Sequence, residues 1–497
     1  MKYLPYLSLA VAISSCQSPN KAKLPSQKPN IIFLMDDQHR HDALGVENPI
    51  VHTPNLDKLA KNGVRFSQAV CQAPMCVPSR NSMMLGIYPN QIGILRNGLG
   101  LQDSLLPAIS LAQRLKDAGY ETAGFGKTHW GSSSQPFIPS TRGFETRYIG
   151  ECREEGAMMM IDIDPEKKAR YSEETKNYGG GEELPAGYIG KTSEIKEGEH
   201  RDGWVFEKCI DYIKNRNDER PLFLYLSFLK PHAAHNVPQG YEQYYNKDEM
   251  PYAQQPNWDK DHSPHALGIN RRDLYINFWK KASEEQWKEM TMRYYANCSW
   301  IDDMFGRALK ELKEKGLLEN TIIIYVSDHG EMLGERYYRF NKYCLYESSV
   351  RVPFILAGKA LPDHFKNTID KRQAELVDVY PTLLKLAGIK VPKSAVGINL
   401  MDTTQTRKAS FCALHEKKGE ASFMWRNSEY KLILVMNRKE NISLYTASDI
   451  VDGELYKLKE DLEEYNNLFD VGFYAPIKNN LSSQLLHHLQ EIKEIHP

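Results

Sequence analysis

Acidic and imidazole side chains stand directly after two apolar runs that are typical of buried strands: Asp36, Asp37, Asp328 and His329. Because the carboxyl ends of parallel strands meet at one edge of a sheet, we expect these side chains to lie close together. Each pair alone would be read as a solvated turn or a helix cap. Together they offer oxygen-rich ligands for a hard divalent cation, and the lack of a His/Cys cluster in the sequence argues against structural zinc.

Residues 76–80 read Cys-Val-Pro-Ser-Arg, and the pattern continues to Gly86. A Cys two residues before Pro and four before Arg resembles the signature of the type I sulfatases, in the alkaline phosphatase superfamily. That family usually has Leu-Thr before the final Gly, where this chain has Met84 and Leu85. The resemblance implies that a maturation enzyme oxidises Cys76 to formylglycine, which then serves as the nucleophile.

A hydrated aldehyde has a chemical advantage over a simple nucleophile in the release of sulfate. One hydroxyl of its geminal diol attacks sulfur, and the other drives elimination of sulfate from the covalent formylglycine-sulfate intermediate. An unmodified Cys or Ser could attack but could not release sulfate in this way. We expect the cationic Arg80 to hold the hydrate near the metal, rather than to be a surface charge.

A second pattern spans residues 119–129, with the spacing Gly-Tyr-x-Thr-x-x-x-Gly-Lys-x-His. It also resembles the sulfatases, and it follows the first signature in the expected order. The resemblance implies that Lys127 contacts the sulfate and the nucleophile. It also implies that His129 is the base acting on the free hydroxyl during sulfate elimination, although either residue alone would be read as structural or solvated.

Residues 227–232 (Ser-Phe-Leu-Lys-Pro-His) resemble the family segment whose His contacts the sulfate and helps to protonate the departing alcohol. His232 inherits that role by resemblance. The family's Pro two places later is Ala234 here, and His235 follows it. Lys230 and His235 are candidate substrate ligands, and a solvated side chain is an equal alternative for Lys230.

Residues 327–334 (Ser-Asp-His-Gly-Glu-Met-Leu-Gly) and Lys342 match a third block of the family, and the resemblance extends over roughly residues 29–470. It implies the alkaline-phosphatase-like fold and a role for Lys342 as the last sulfate ligand. The implied metal is calcium, with magnesium as the alternative. Many relatives have Asn in place of His329, which is a softer ligand. The predicted metal ligands are Asp36, Asp37, Cys76, Asp328 and His329.

The N-terminus has the features of an export signal: Lys2, an apolar stretch over 4–13 and then small residues. Cys16 closes a sequence that resembles a bacterial lipobox, which predicts lipidation of Cys16 after cleavage; an ordinary signal peptide is the alternative. Residues 17–28 would form a polar tether. We therefore expect an exported, membrane-anchored lipoprotein, periplasmic or at the cell surface, with no membrane-spanning helix.

Charge and cysteine content narrow the class of protein further. The 497 residues include 63 Lys and Arg against 64 Asp and Glu, so net charge gives no reason to expect binding to nucleic acid or to an anionic membrane. The eight Cys are scattered without the pattern of a small disulfide scaffold. Apart from Cys16 and Cys76, six ordinary thiols remain, and their pairing is left open.

Export favours a substrate derived from an extracellular polymer. We expect a sulfated carbohydrate, from a glycosaminoglycan or a mucin, in preference to a simple aryl sulfate. Two other functions stay open: a phosphonate or phosphodiester hydrolase of the same superfamily, and an inactive lipoprotein that binds sulfated glycans. Candidate groups at the pocket rim are Arg96, Asn97, His235, Arg339, His415 and residues 38–41 (Gln-His-Arg-His).

The order of elements predicts an α/β fold with a mostly parallel sheet between helices. Strands are predicted at 31–35, 222–228 and 321–327, and helices at 105–118 and around 301–312. Residues 151–300, with weaker periodicity, would be insertions around the site. The predicted division is a catalytic domain over 29–396 and a smaller α+β subdomain over 397–497, with a strand at 430–435 and a final helix near 481–492.

Overall fold

The computed structural model describes residues 28–130, 141–148, 165–167, 169–170, 189–258, 260–265, 279–415 and 419–492. The predicted signal and Cys16 lie outside these ranges. Within them, the helices of seven or more residues are α1 (Pro54–Asn62), α2 (Cys76–Leu85), α3 (Leu111–Asp117), α4 (Arg201–Asn215), α5 (Glu284–Glu314), α6 (Val379–Leu386) and α7 (Ala475–Glu491). None of the helices in the described ranges is long and apolar enough to cross a membrane.

Eight of the twelve strands described in the first three quarters of the chain belong to one large sheet. The strands of this part are β1 (Asn30–Asp37), β2 (Val64–Phe66), β3 (Ala69–Val70), β4 (Glu121–Gly126), β5 (Thr146–Tyr148), β6 (Leu222–Pro231), β7 (Thr321–Ser327), β8 (Met332–Leu333), β9 (Phe340–Asn341), β10 (Phe354–Ala357), β11 (Thr368–Asp370) and β12 (Ala374–Glu375). The C-terminal strands are β13 (Ser410–His415), β14 (Glu420–Arg426), β15 (Tyr430–Asn437) and β16 (Ile450–Lys457).

The large sheet has eight strands in the described residues, in the order β11-β2-β10-β7-β1-β6-β4-β5. Its strands pair in parallel except at β10, which is antiparallel to both β7 and β2. The predicted α/β class with a mostly parallel sheet is therefore confirmed.

Strand β1 lies in the middle of the sheet and shows why its sequence is a continuous apolar run. Ile31, Phe33 and Met35 pack into one core, with side chains of α3 and α6. Ile32 and Leu34 point to the opposite face and pack into a second core, with side chains of α4 and α5. Since both faces are covered, the alternation of apolar and polar residues found in half-exposed strands is absent.

The predicted helices occur, with one clear correction. The pattern around 301–312 lies inside α5, which ends at Glu314. The helix predicted over 105–118 begins only at Leu111, because Ser110 is its N-cap and accepts a hydrogen bond from the Gln113 backbone N–H at 3.2 Å. Ser, which competes for backbone hydrogen bonds, is favoured at a cap over a helix interior.

The C-terminal strands β13 to β16 form a separate antiparallel sheet. Helix α7 covers it, since Leu481, Leu485 and Leu489 pack into the same core as Phe411 and Phe423. The observed α7 starts earlier than the predicted helix, and β15 contains the predicted strand. These elements have the expected α+β character, while the boundary at 396 stays a prediction.

Candidate active site

Four neighbouring parallel strands, in the order β7-β1-β6-β4, end at one edge of the large sheet. Their register sets Asp36 level with Ser327 and Asp37 level with Pro231. The residues that follow the strands are therefore neighbours in space, which confirms the predicted convergence at this edge. They are Asp328 and His329 after β7, His232 after β6 and Lys127 after β4.

Helix α2 presents Cys76 to this edge as its first residue, and all ten of its residues are buried. A helix N-terminus carries partial positive charge, which favours an anion beside it. Ser79 Oγ donates to the Asp328 carbonyl at 2.6 Å, and the Val77 N–H donates to Asn97 Oδ1 at 3.1 Å. These two bonds tie the start of α2 to the end of β7 and to the loop containing Asn97.

Four of the predicted metal ligands form a tight buried group in which each residue offers a ligand atom within 4.8 Å of the others: Asp37, Cys76, Asp328 and His329. His329 Nε2 lies 3.3 Å from Cys76 Sγ, while its Nδ1 lies 3.0 Å from the Gly330 carbonyl oxygen. A ring nitrogen held by a carbonyl leaves the other nitrogen available as a ligand.

Asp36, the fifth predicted ligand, lies outside that group of four. Its Oδ2 accepts a hydrogen bond from the Tyr325 hydroxyl at 2.8 Å and lies 2.7 Å from His39 Nδ1. Its Oδ1 is buried and has no hydrogen-bond partner among the described residues. Because a buried carboxylate oxygen without a partner is costly, this atom fits a site that completes its coordination with a cation.

Arg80 is fully buried behind the cluster. Its Nε donates to Asp328 Oδ2 at 2.6 Å, and one terminal nitrogen donates to Asp37 Oδ2 at 3.2 Å. The other terminal nitrogen donates to the Lys127 carbonyl at 2.8 Å and to Ser227 Oγ at 3.0 Å. Through these contacts Arg80 positions two carboxylates of the cluster, and its predicted hold on the hydrate stays a prediction.

Lys127 reaches the cluster because β4 and β6 approach each other closely. A Cβ at Gly126 would lie 1.7 Å from the Ser227 carbonyl oxygen, so only glycine fits there, at φ +88°. The next residue donates its backbone N–H to the same oxygen at 2.9 Å. Lys127 Nζ then lies 2.8 Å from Asp37 Oδ2 and 3.8 Å from Cys76 Sγ.

Lys342 approaches Cys76 Sγ from the other side, at 3.1 Å. Both ammonium groups act on the electrostatics of the nucleophile position, together with Asp37 and His329. Burial and the charge of Asp37 oppose ionisation of Cys76, but Lys127, Lys342 and His329 together hold the pKa of its thiol well below the usual value. Burial likewise opposes ionisation of Asp37, yet the two lysines, with His232 and Arg80, hold its pKa well below the usual value.

The two predicted catalytic imidazoles, those of His232 and His129, are both half-buried, and the structure gives different information about each. His232 is half-buried, and burial together with the charge of Lys342 lowers its pKa to about 3. Its Nδ1 lies 2.6 Å from the Ala233 carbonyl oxygen, and Asp37 and Cys76 act on its pKa in the opposite direction. His129 is also half-buried and adopts a left-handed φ of 54° directly beyond Lys127 and Thr128. The catalytic roles of both imidazoles stay predictions.

Two further buried polar residues belong to the site: Gln38, which was predicted only as a group at the pocket rim, and Glu331, for which no role was predicted. Lys342 Nζ donates to Gln38 Oε1 at 2.7 Å. Gln38 Nε2 donates to Glu331 Oε2 and, at 3.2 Å, to Asn341 Oδ1. Burial raises the pKa of Glu331 to about 8. Both residues stand beside predicted metal ligands in the sequence, and that adjacency was the available signal.

The candidate substrate ligands are of two kinds: some have no partner among the described residues, and others are held by hydrogen bonds or by packing. Arg96 is half-buried, and no described residue forms a hydrogen bond or ion pair with its guanidinium. Lys230 is partly buried; its Nζ donates to the carbonyls of His232 and Ala234, and burial lowers its pKa to about 8. The prediction that His235 lies at the pocket rim is wrong, because its side chain is completely buried against other rings.

Three other rim candidates, Arg339, His39 and Arg40, are engaged by contacts within the protein. Arg339 is buried in an ion pair with Asp261 at 2.7 Å. His39 lies between Asp36 and the Ala43 carbonyl, and Arg40 pairs with acidic side chains. Partner groups, some of them local and some distant in sequence, therefore satisfy side chains that looked available. His415 lines a different cavity altogether.

Comparison with known proteins agrees with this geometry. The family profile named Sulfatase matches residues 29–389, and the profile described as N-sulphoglucosamine sulphohydrolase, C-terminal, matches residues 334–491. The chain is 29% identical to an arylsulfatase of Clostridium perfringens over 481 residues, which cover 94% of this chain and 95% of the relative. It is 25% identical to an N-acetylglucosamine-6-O-sulfatase of Bacteroides thetaiotaomicron over 555 residues, covering 97% and 89%.

Among solved structures, the phosphonate monoester hydrolase of Agrobacterium radiobacter superposes with a TM-score of 0.74 at 20% identity, covering 93% of this chain and 95% of that one. At this identity the likeness shows the shared fold. The first family profile covers most of the chain and includes the whole cluster at the sheet edge. The chain therefore belongs to the sulfatase family, sulfuric ester hydrolases of the alkaline phosphatase superfamily.

Proposed function

We propose that this protein releases inorganic sulfate from a sulfated carbohydrate and that its nucleophile is formylglycine made from Cys76. The observation that carries the proposal is the position of Cys76 Sγ, at a helix N-terminus and 3.1 and 3.8 Å from two lysine ammonium groups. A dianionic group bonded to the Cβ of residue 76 would be surrounded by fixed positive charge. Such preorganised charge stabilises the transition state of sulfate transfer.

Maturation converts the Cβ of Cys76 from a thiol carbon to an aldehyde carbon. The carbon is oxidised by two electrons beyond the thiol level and its sulfur is lost, so a separate maturation enzyme must supply the oxidant. After hydration, oxygen atoms occupy the region where Sγ now lies. The low pKa of the Cys76 thiol supports this proposal, because the same charges would favour ionisation of a hydroxyl at that place.

The residues that would hold a metal are Asp36, Asp37, Asp328 and His329, together with the matured residue 76. The donor set is mainly carboxylate oxygen, which suits calcium, with magnesium as the alternative. A hard divalent cation held there would supply positive charge beside the nucleophile and the sulfate oxygens. The buried Oδ1 of Asp36, with no partner among the described residues, supports this assignment.

In the first step, one hydroxyl of the hydrate loses its proton to solvent and attacks sulfur as an alkoxide, and the bond from sulfur to the ester oxygen breaks with its electron pair on that oxygen. Lys127 and Lys342 hold the sulfate oxygens, and the alcohol leaves with a proton from His232. His232 is neutral without substrate, since its pKa is about 3. Binding of an anionic sulfate beside the imidazole raises that pKa and so prepares His232 to donate.

In the second step, His129 takes the proton from the remaining hydroxyl. The oxygen lone pair forms the C=O bond, the bond from Cβ to the sulfate oxygen breaks, and sulfate leaves with that electron pair. The aldehyde is restored, and water then hydrates it. No second nucleophile is needed, which separates this route from hydrolysis of a thiol or serine ester.

A carbohydrate substrate is supported by the relative named as an N-acetylglucosamine-6-O-sulfatase and by the C-terminal profile, whose name also refers to a sulfated amino sugar. A glycosaminoglycan or a mucin would supply such groups. Phosphonate or phosphodiester hydrolysis is the less supported alternative. The inactive glycan-binding alternative is disfavoured because every predicted catalytic position carries the expected residue type.

The deciding experiment is mass spectrometry of the Cys76 peptide from protein produced with a maturation enzyme. It is paired with assays of sulfate release from an aryl sulfate and a panel of sulfated sugars, and of a phosphonate monoester. We expect formylglycine at residue 76 and sulfate release from a sugar. Unmodified Cys76 without release would support the binding protein, and faster phosphonate turnover would support the alternative hydrolase.

Lipid anchoring is a separate part of the proposal. It is supported by the sequence around Cys16 alone. Cys16→Ser should move the protein from the membrane fraction to the soluble fraction, with sulfate release per molecule unchanged. Unchanged fractionation would contradict lipidation at this residue.

A further inference from the structure

A second cavity, of about 720 Å³, lies apart from the cluster at the sheet edge. Asn90 and Leu95, in the chain that follows α2, line one side of it, and His415 and Ile442 of the C-terminal subdomain line the other. Helix α2 separates the cavity from Cys76, and its ten residues span about 15 Å. The volume is in the range of small-ligand sites in proteins.

Two residues that line this cavity each have a buried polar atom without a partner among the described residues. Asn90 Nδ2 donates to His415 Nε2 at 2.9 Å, which leaves the proton of a neutral imidazole on Nδ1. Burial, with the charge of Arg438, lowers the pKa of His415 to about 3, so the ring is neutral at physiological pH. Its Nδ1 and the Asn90 Oδ1 are both buried, and neither has a hydrogen-bond partner among the described residues.

An uncharged donor next to an uncharged acceptor matches a hydroxyl-bearing ligand better than an anion. A sugar hydroxyl both donates and accepts, whereas a sulfate or carboxylate only accepts. The charged residues that line the cavity are Arg438, Lys439 and Glu440. Lys439 Nζ lies 2.7 Å from Asp449, and the other two carry opposite charges, so the net charge of the lining is small. Ile92, Leu95 and Ile442 add apolar surface suited to the C–H faces of a sugar ring.

A short segment connects the cavity with the nucleophile. Leu95 lines the cavity, Arg96 follows it, and Asn97 accepts the hydrogen bond from the backbone of Val77, next to Cys76. Residues 93–97 therefore run back along α2 from its far end to its first turn. The distance between the cavity and Cys76 is greater than a single sugar ring covers. A ligand in contact with both the cavity and Cys76 would therefore be a chain of sugars.

We propose that this cavity binds a hydroxyl-rich sugar residue of an oligosaccharide whose sulfated residue lies at Cys76. The proposal rests on the proposed sulfatase function and adds the size of the substrate to it. Small substrates would contact only the cluster around Cys76 at the edge of the large sheet. Longer ones would also contact Asn90 and His415.

The test compares kcat/KM for an aryl sulfate, a sulfated monosaccharide and a tetrasaccharide that carries the same sulfated residue. Asn90→Ala and His415→Gln should lower the tetrasaccharide value about tenfold and leave the small substrates unchanged. Asn62→Ala is the matched control, because that exposed amide donates only to the Lys58 carbonyl at 2.8 Å. Equal losses on all three substrates, or no loss on any, would overturn the proposal.

A second measurement does not depend on turnover. Calorimetric titration of the desulfated tetrasaccharide into wild type and Asn90→Ala should show about tenfold weaker binding to the variant. No binding to wild type across glycosaminoglycan and mucin tetrasaccharides would overturn the cavity assignment. Absence of sulfate release from every substrate by fully converted protein would instead contradict the proposed function.

Discussion

The active site and the junction between the two subdomains both bury charged side chains, but they arrange those charges differently. The junction cluster consists of Glu347, Arg426, Lys431 and Glu464. Arg426 makes two bonds to Glu347, at 2.7 and 2.8 Å, and Lys431 lies 2.8 and 2.7 Å from Glu347 and Glu464. Each of these charges thus has an opposite charge at contact distance.

In the active site some charges also pair, as Lys127 and Arg80 do with Asp37, but the ammonium groups additionally converge on the position of the nucleophile. Lys127 and Lys342 both approach Cys76 Sγ, and Asp36 retains a buried oxygen without a partner among the described residues. Desolvation of such an arrangement costs stability unless a ligand completes it. Convergent and incomplete charge is therefore the sign of a binding site, while burial of charge alone is not.

The largest expected effect is that of Cys76→Ala, which removes the atom on which the charges converge. We expect sulfate release to fall by about a thousandfold or more, because no other group can form the covalent intermediate. The thermal unfolding midpoint should change little. Cys209→Ala, at another buried Cys, is the control and should retain turnover. Near wild-type release from the Cys76 variant would exclude it as the nucleophile.

Chelation tests whether a cation completes the cluster. Removal of divalent ions should abolish turnover and lower the thermal unfolding midpoint, and calcium should restore both, because binding to the native state stabilises it. The unfolding midpoint of Cys76→Ala should respond in the same way, although it has no activity. Turnover that is insensitive to chelators would remove the metal from the mechanism.

Lys342→Ala should lower kcat/KM by about 10²- to 10³-fold, since it removes a charge that contacts the nucleophile and sulfate. The free energy of unfolding should change by less than about 1 kcal/mol, because Asp37 keeps Lys127 and Arg80 as partners. Kinetics and urea denaturation of the same sample measure both quantities. A large loss of stability with normal kcat/KM would make Lys342 a structural residue.

Lys431→Met is the matched lysine substitution in the junction cluster and should behave in the opposite way. It leaves Glu464 without its ammonium partner, so we expect about 3–5 kcal/mol of lost stability. Turnover per folded molecule should stay normal at low temperature. A selective loss of turnover would contradict the distinction between the two clusters.

The smallest expected effect is that of Gln38→Ala. Lys342 keeps its charge but loses the acceptor that orients its ammonium group, so kcat/KM should fall about tenfold. The effect should be absent in the Lys342→Ala background, because the group being positioned is gone. An undiminished effect there would assign Gln38 a role independent of Lys342.

The sequence by itself determined the strands and the residues that follow them. Continuous apolar runs such as 31–35 are stable only when covered on both faces, and parallel strands deliver their carboxyl ends to one edge. Asp37 and Asp328 therefore meet as predicted, while Lys127, which was assigned by resemblance alone, follows the neighbouring β4. The signature around Cys76 predicted the role of that residue but not its position, which the structure places at the start of α2 on the same edge.

Only the tertiary structure decided which polar groups are available. Arg339 and Arg96 are the same residue type near the same predicted pocket, yet Asp261, 78 residues away, engages the first, and no described residue pairs with the second. His235 is buried and His415 faces another cavity for the same reason. Partners of this kind come from distant segments, so their identity depends on packing that local spacing does not encode.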